Sequence, residues 1–189
     1  MQNSKKTQKI VITTKTGDSG ESGLANGQRV SKSSSFFTVI GDLDELNSFL
    51  GLVSAMCKAH FPKERQRLLK IQDTLFYIGA EVAQSPKAKL SSKKVELLEK
   101  WQNDLEDKLE DNWHAKFVLP GGTSLGAYTD IARTVCRRAE RSLWAHTENH
   151  AVRPALQKYL NRLSDYLYLL RCYLNQQLSY TEEYFDSQK

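Results

Sequence analysis

"PALQKYLNRLSDYLYLLRCYL", Pro154 to Leu174, spaces Leu156, Leu160, Leu163, Leu167, Leu170 and Leu174 by alternating steps of four and three. Such a seam is the apolar stripe of one long α-helix that faces other helices. The same period recurs upstream. Leu43, Leu46, Leu50, Val53 and Cys57 repeat at three and four, and a helix over about 124–145 carries Tyr128, Ile131, Ala132, Val135, Ala139 and Leu143 on its inner stripe. Two further helices are expected at about 63–84 and 91–110. Pro62, Pro86, Pro120 and Pro154 all fall between the periodic segments, where helices are punctuated. Only "KIVITT", residues 9–14, alternates as a strand does. The fold class is therefore all-α: an antiparallel five-helix bundle preceded by an irregular, glycine-rich N-terminal arm.

The chain has 189 residues, enough for one domain with a full core and without an internal repeat. Its 40% hydrophobic and 26% charged residues are ordinary for a globular protein, and no apolar run reaches the length of a membrane span. The first twelve residues are lysine-rich but lack a signal peptide's apolar region, so a cytoplasmic location is expected, with both termini as flexible tails (about 1–12 and 180–189). Cys57, Cys136 and Cys172 are far apart, which suits reduced thiols and not a disulfide frame or zinc site. His146 and His150 share a helical spacing without a third ligand and read as a surface pair; His60 and His114 stand apart. A net charge of +5 points to an anionic partner.

Candidate chemistry gathers in five places. The arm "TKTGDSGESGLANGQRVSK", Thr14 to Lys32, combines glycines, hydroxyls and terminal lysines, as an anion cradle does, but no Gly-Lys-[Ser/Thr] closes it as a Walker loop. "ARTVCRRAERSLW" aligns Arg133, Arg137 and Glu140 on one helix face with Arg138 and Arg141 beside it. Those guanidinium groups suit a polyphosphate, although on the helix alone a solvated basic face is the favoured reading, because basic helix faces are common. "GDLDELNSFLG" sets Asp44, Asn47 and Gly51 on a face opposite the leucine seam, either as a site or as a capping cluster at a helix start with Asp42 or Asp44 favoured by the helix dipole. In "FVLPGGTS" a tight Pro120-Gly121-Gly122 turn precedes a helix capped by Thr123 or Ser124, and leaves Phe117 in a loop. Asn161, Ser164 and Asp165 lie off the last helix's seam.

Four blocks in chain order from about Thr14 to Arg171, the arm, "GDLDELNSFLG", "LPGGTSLGAYTDIARTVCRRAERSLW" and "YLNRLSDYLYLLR", resemble the PduO-type ATP:cob(I)alamin adenosyltransferases. The resemblance implies a homotrimer of five-helix bundles with active sites between subunits. It implies transfer of the 5′-deoxyadenosyl group of ATP to the cobalt of cob(I)alamin, giving adenosylcobalamin and triphosphate. Thr14, Lys15, Thr16, Gly17, Ser22 and Gly23 would wrap the ATP phosphates, with Lys32 closing the arm. Arg137, Arg138, Ala139, Glu140 and Arg141 would complete the ATP site from one helix, and Asn161 from the next. Asp44 would pair across the subunit interface with Arg133 on the corrinoid side, where Phe117 would displace the lower axial ligand of cobalt. Mg2+ would bridge the phosphates without a dedicated carboxylate cage. A cob(II)alamin reductase and a B12-dependent acceptor enzyme are the implied partners, and no nucleic acid or membrane.

Asp42 adds negative charge close to Asp44, and two further positions depart from the family pattern. Asp130 in Tyr128-Thr129-Asp130 replaces a histidine and is placed to pair with Arg133 or Thr134 one turn on. Glu21-Ser22-Gly23 carries one hydroxyl fewer than is usual near the phosphates. They motivate a second reading, a non-catalytic carrier or sensor of ATP or adenosylcobalamin with the same fold. A basic helical scaffold for nucleic acid ranks third, because it gives the arm no role.

Overall fold

The computed structural model of the chain describes residues 13–110, 113 and 117–186. Five helices carry the fold: α1 Ser35–Met56, α2 Pro62–Val82, α3 Ser92–Glu106, α4 Ser124–His146 and α5 Pro154–Gln177. They match the expected helices to within a turn, except that α1 begins two turns before Leu43. Asp42 and Asp44 therefore sit inside α1, which overturns the capping reading for both. "KIVITT" falls mostly outside the described residues, and so does His114.

The helices pack in the spatial order α2, α1, α4, α5, α3. The core is the leucine seam of α5, buried from Leu156 to Leu174, set against Leu43, Leu46, Leu50 and Val53 of α1 and Ala132, Cys136, Ala139 and Leu143 of α4. On α4 the inner stripe runs through Leu125, Thr129 and Ala132; Tyr128 and Ile131 are exposed instead. Counting one residue early at these two positions rotates the face by about 100°, which is enough to put an outward residue inside. Ala139 has no exposed surface, so its side chain belongs to the core and reaches no ligand.

α4 starts where expected and by the expected means. Thr123 Oγ1 accepts the Gly126 N–H at 3.0 Å. Before it, Gly121 and Gly122 take positive φ values of 140° and 99°, conformations that glycine alone adopts cheaply. Gly122 has a second constraint: a Cβ there would meet Asn175 Nδ2 at 2.2 Å.

The arm is less irregular than its composition suggests. Strands β1 Glu21–Gly23 and β2 Arg29–Ser31 pair antiparallel as a small hairpin, with Gly27 at φ 88° in the connection. Leu24 is buried, and the Ala25 N–H donates to the Ala83 carbonyl at the end of α2 at 2.8 Å. The hairpin is thereby anchored beside α1 and α2.

Two histidines also differ from the expectation. His146 is 2% exposed, its Nδ1 lies 2.7 Å from Ser35 Oγ, and its ring stacks on His150 at 4.4 Å. Burial, with His150 beside it, holds the His146 imidazole below the usual histidine range. The pair is an internal join between the start of α1 and the end of α4, not a surface pair.

Candidate functional site

The arm presents its polar groups to solvent. Thr14, Lys15, Thr16, Gly23 and Lys32 are exposed, and Gly17 and Ser22 are half-buried. Lys15 has φ 57° and opens a turn closed by the Asp18 N–H on the Lys15 carbonyl at 3.3 Å. The hydroxyls of Thr14 and Thr16 are 2.9 Å apart. Lys32 bends back over this turn, close enough that a Cβ on Gly17 would lie 3.0 Å from its Nζ. Glycine at 17 is thus the residue that lets the lysine cover the loop. Arg29 holds the loop from below, donating from Nη2 to the Thr16 carbonyl at 2.7 Å and pairing with Glu21. Its role in the arm was not evident in the sequence, where it read only as one more cation.

On α4 the expected basic cluster divides into three. Arg137 is exposed, and its guanidinium makes no ion pair or hydrogen bond among the described residues. Arg138 turns to α1, pairing with Asp42 Oδ1 at 3.0 Å and with Glu45. Asp42 also accepts the Ser142 hydroxyl at 2.5 Å. Arg138 is thereby drawn away from the face of Arg137. Arg141 donates to the Arg137 carbonyl at 3.2 Å. Glu140 Oε1 accepts Asn161 Nδ2 at 3.0 Å, which joins the polar edges of α4 and α5.

Arg133 and Arg137 line a cavity of about 510 Å³ with Gln102 and Trp113 from the α3 side and Arg162 and Tyr168 from α5. Three guanidinium groups face one opening with Glu106 and Asp165 also on its wall, and with the aromatic walls this suits a large amphipathic ligand that carries anionic groups. Asp44 is on the other side of the molecule. It is exposed beside a groove of about 500 Å³ between α1 and α2, lined by Phe37, Ile40, Leu75 and Phe76. Within one chain Asp44 and Arg133 are thus on different faces, and Arg133 pairs instead with Asp130 at 2.9 Å. This is the pairing the sequence suggested for Asp130.

Other expected faces are covered. Asn47 is buried, its Nδ2 donates to the Gln72 carbonyl on α2 at 3.4 Å, and its backbone carbonyl accepts Gln72 Nε2 at 3.1 Å. The same Gln72 group abuts Gly51, so Asn47 and Gly51 belong to the α1–α2 join and leave Asp44 alone on the surface. Ser164 is buried and bonds to the Asn161 carbonyl at 2.9 Å, whereas Asp165 is exposed.

Phe117 is 83% exposed. Its backbone is nevertheless tied, because its carbonyl accepts the Phe185 N–H at 2.7 Å and the Leu119 N–H donates to the Glu183 carbonyl at 2.7 Å. The C-terminal tail therefore runs antiparallel to residues 117–119. Arg171 beneath it is fully buried, with Asp130 Oδ2 at 3.1 Å and Glu182 Oε1 at 2.6 Å. A charged residue at the i+4 position from Leu167, inside an apolar stripe, was the available sign of such a network.

Among the described residues no group of three His, Cys, Asp or Glu side chains is arranged to hold a metal ion. No helix among them is long and apolar enough to cross a membrane. The three cysteines are free and buried, and burial pushes the Cys57 thiol up to about 12, so the three stay inert.

A family model for cobalamin adenosyltransferases matches residues 12–174. The chain is 42% identical over 165 residues to a cobalamin adenosyltransferase from Cupriavidus metallidurans, covering 87% of this chain and 88% of that protein. It is 38% identical over 173 residues to a corrinoid adenosyltransferase from Mycobacterium leprae, covering 84% and 88%. Among solved structures it is similar to a variant PduO-type ATP:corrinoid adenosyltransferase from Lactobacillus reuteri complexed with cobalamin and ATP. That likeness has a TM-score of 0.88 at 27% identity and covers 94% of this chain and 97% of the other.

Proposed function

The chain belongs to the cobalamin adenosyltransferase family, and from that premise we propose that its active sites form between copies in a homotrimer, the arm of one copy closing on the α4–α5 face of the next. The chain is a transferase that moves the 5′-deoxyadenosyl group of ATP to the cobalt of cob(I)alamin. One observation carries the inter-subunit reading. The arm is anchored on the α1–α2 side, Arg137 faces the α3–α5 side, and no hydrogen bond or ion pair among the described residues joins them. A second copy brings the two halves together.

The surfaces support it. The outer face of α4 exposes Tyr128, Ile131 and Trp144, and the α1–α2 groove exposes Phe76. Two different apolar faces on one chain suit a heterologous contact that closes into a ring. In that ring Asp44 of one copy meets Arg133 of its neighbour.

In the reaction a Co–C5′ bond forms as the C5′–O bond breaks. Triphosphate leaves with the bonding pair, and Co(I) is formally oxidised to Co(III). Cob(I)alamin is itself the nucleophile, so the protein supplies position and charge. The hydroxyls of Thr14, Thr16 and Ser22, the amides near Gly17 and Gly23, and Lys15 and Lys32 hold the phosphates. Arg137 stabilises the charge that develops on the departing triphosphate, with Arg141 beside it. Glu140 and Asn161 form a fixed polar edge next to Arg137. Arg138 serves by position, tying α4 to α1. Phe117 and Arg133 face the corrinoid. Mg2+ belongs to the reading as the companion of the phosphates; no side chain is assigned to it. The enzyme is a single domain that works in the cytoplasm, receiving reduced corrinoid from a cob(II)alamin reductase and passing its product to a B12-dependent enzyme.

Mixing two defective proteins tests the assembly. Lys32→Ala and Arg137→Ala homotrimers are each expected to be weakly active. Refolded or co-expressed together, they regain activity toward one intact site in four, because some interfaces receive the unaltered arm and the unaltered α4 face (about 25% by random pairing). Mixtures no more active than the average of the two parents contradict an inter-subunit site.

A further inference from the structure

Among the described residues Arg171 is the one arginine with a completely buried side chain. Its donors are shared among three segments. Nε bonds Asp130 Oδ2 at 3.1 Å on α4, Nη1 bonds Glu182 Oε1 at 2.6 Å in the tail, and Nη2 bonds the Leu119 carbonyl at 3.0 Å and the Gly121 carbonyl at 3.4 Å. Asn175, one turn further along α5, repeats the pattern. Its amide donates to the Gly121 carbonyl at 3.2 Å and to Glu182 at 3.1 Å, and its carbonyl accepts the Thr123 hydroxyl at 2.8 Å.

Two groups at the candidate site lie at the ends of this network. Asp130 uses its other oxygen, Oδ1, to hold Arg133 Nε at 2.9 Å. Glu182 fixes the tail, whose next residues pair with the backbone of Phe117 and Leu119. A largely exposed aromatic ring on a loop and a half-buried guanidinium on a helix are thereby referred to one rigid point. The tail that completes the network lies beyond the residues matched by the family model, which end at 174.

We propose that Arg171 is a positioning residue for the corrinoid side of the reaction, and that the Glu182-anchored tail is the brace through which it sets the Phe117 loop relative to Arg133. This rests on the assignment of Phe117 and Arg133 to the corrinoid. The chemistry of the brace is charge-assisted hydrogen bonding in a dry environment, where a misplaced partner is costly and geometry is held tightly. Loss of the brace affects the step that needs Phe117 against cobalt, displacement of the lower axial ligand of cob(II)alamin. It spares the ATP side, which the arm and Arg137 hold.

The test uses the full-length chain and the ratio of two activities, conversion of cob(II)alamin with a reduced flavin over conversion of prereduced cob(I)alamin. A ratio is independent of how much of each variant is folded. Glu182→Gln is expected to lower it about tenfold, as for loss of one charge-assisted bond, with the KM for ATP unchanged. The absorption and EPR spectra of bound cob(II)alamin should show less of the form without its lower ligand. Arg171→Lys should act in the same direction; if it does not fold, Glu182→Gln decides alone. Glu183→Gln makes the same charge change on a side chain outside the brace and should leave the ratio near that of the parent. An unchanged ratio in Glu182→Gln, while Phe117→Ala lowers it, overturns the brace and leaves the corrinoid assignment standing. An unchanged ratio in Phe117→Ala as well removes that assignment and the inference with it.

Discussion

Arg137→Ala is expected to lower kcat with prereduced cob(I)alamin by about 100-fold or more, the usual effect of removing one donor from a developing anion. The fold should not suffer. Arg137 is exposed and makes no ion pair or hydrogen bond through its side chain among the described residues, so its removal leaves nothing unpaired. Arg141→Ala, one turn on and bonded only to the Arg137 carbonyl, should cost several-fold less. The difference between them is the informative quantity. A general basic face loses one charge in either variant and responds equally, whereas a site aimed at triphosphate distinguishes them. Steady-state kcat and KM for both variants, with melting curves to exclude unfolding, give the comparison. Equal losses contradict the assignment of Arg137 to the leaving group.

The largest effect on stability is expected at Asp130→Ala. The Asp130 carboxylate is shared by Arg171 and Arg133 and also accepts the Gly121 N–H at 3.3 Å. Its removal leaves a fully buried guanidinium with Glu182 as its one remaining counter-charge. Breaking a buried pair in this way costs about 3–5 kcal/mol, against about 0–1 kcal/mol for a surface pair. For a chain of this size that lowers Tm by roughly 10 °C. Asp42→Ala, which frees the partly exposed Arg138 to turn to solvent or to Glu45, should cost clearly less. Denaturant melts of the two variants measure the contrast. A cost at Asp130 within about 1 kcal/mol of zero shows that water reaches Arg171 and that the network is not the rigid point described above.

The fold was legible because helices report themselves through period. The α5 seam reads directly from Leu156 to Leu174, and Thr123 marks the start of α4 by the cap it makes. What the period cannot give is its phase at the edges of a stripe. Tyr128 and Ile131 are as apolar as their buried neighbours and were assigned inward, although both face outward. The arm's residue types raise the expectation of an anion cradle. Its hairpin was not legible, because three-residue strands are too short to show alternation.

The candidate site was legible in its parts and not in its grouping. Arg133 and Arg137, four residues apart, line one cavity on the α5 side, whereas Arg138, the very next residue, faces α1, since 100° per residue separates neighbours on a helix. The carboxylates that decide which arginine stays uncommitted, Asp42 and Glu45, come from a helix 93 or more residues away. Arg171 shows the same limit. Its position within the leucine seam announced a buried charge, but Glu182 and the Leu119 carbonyl are brought to it only by the folded tail and loop.

The account turns on the transfer itself, measured anaerobically with the protein, Mg-ATP and prereduced cob(I)alamin while the corrinoid spectrum is followed and triphosphate is quantified. The predicted result is saturable, ATP-dependent formation of adenosylcobalamin, with one triphosphate released per corrinoid converted. Tight binding of ATP and corrinoid without conversion, or release of phosphate and diphosphate in place of triphosphate before any Co–C bond forms, contradicts it.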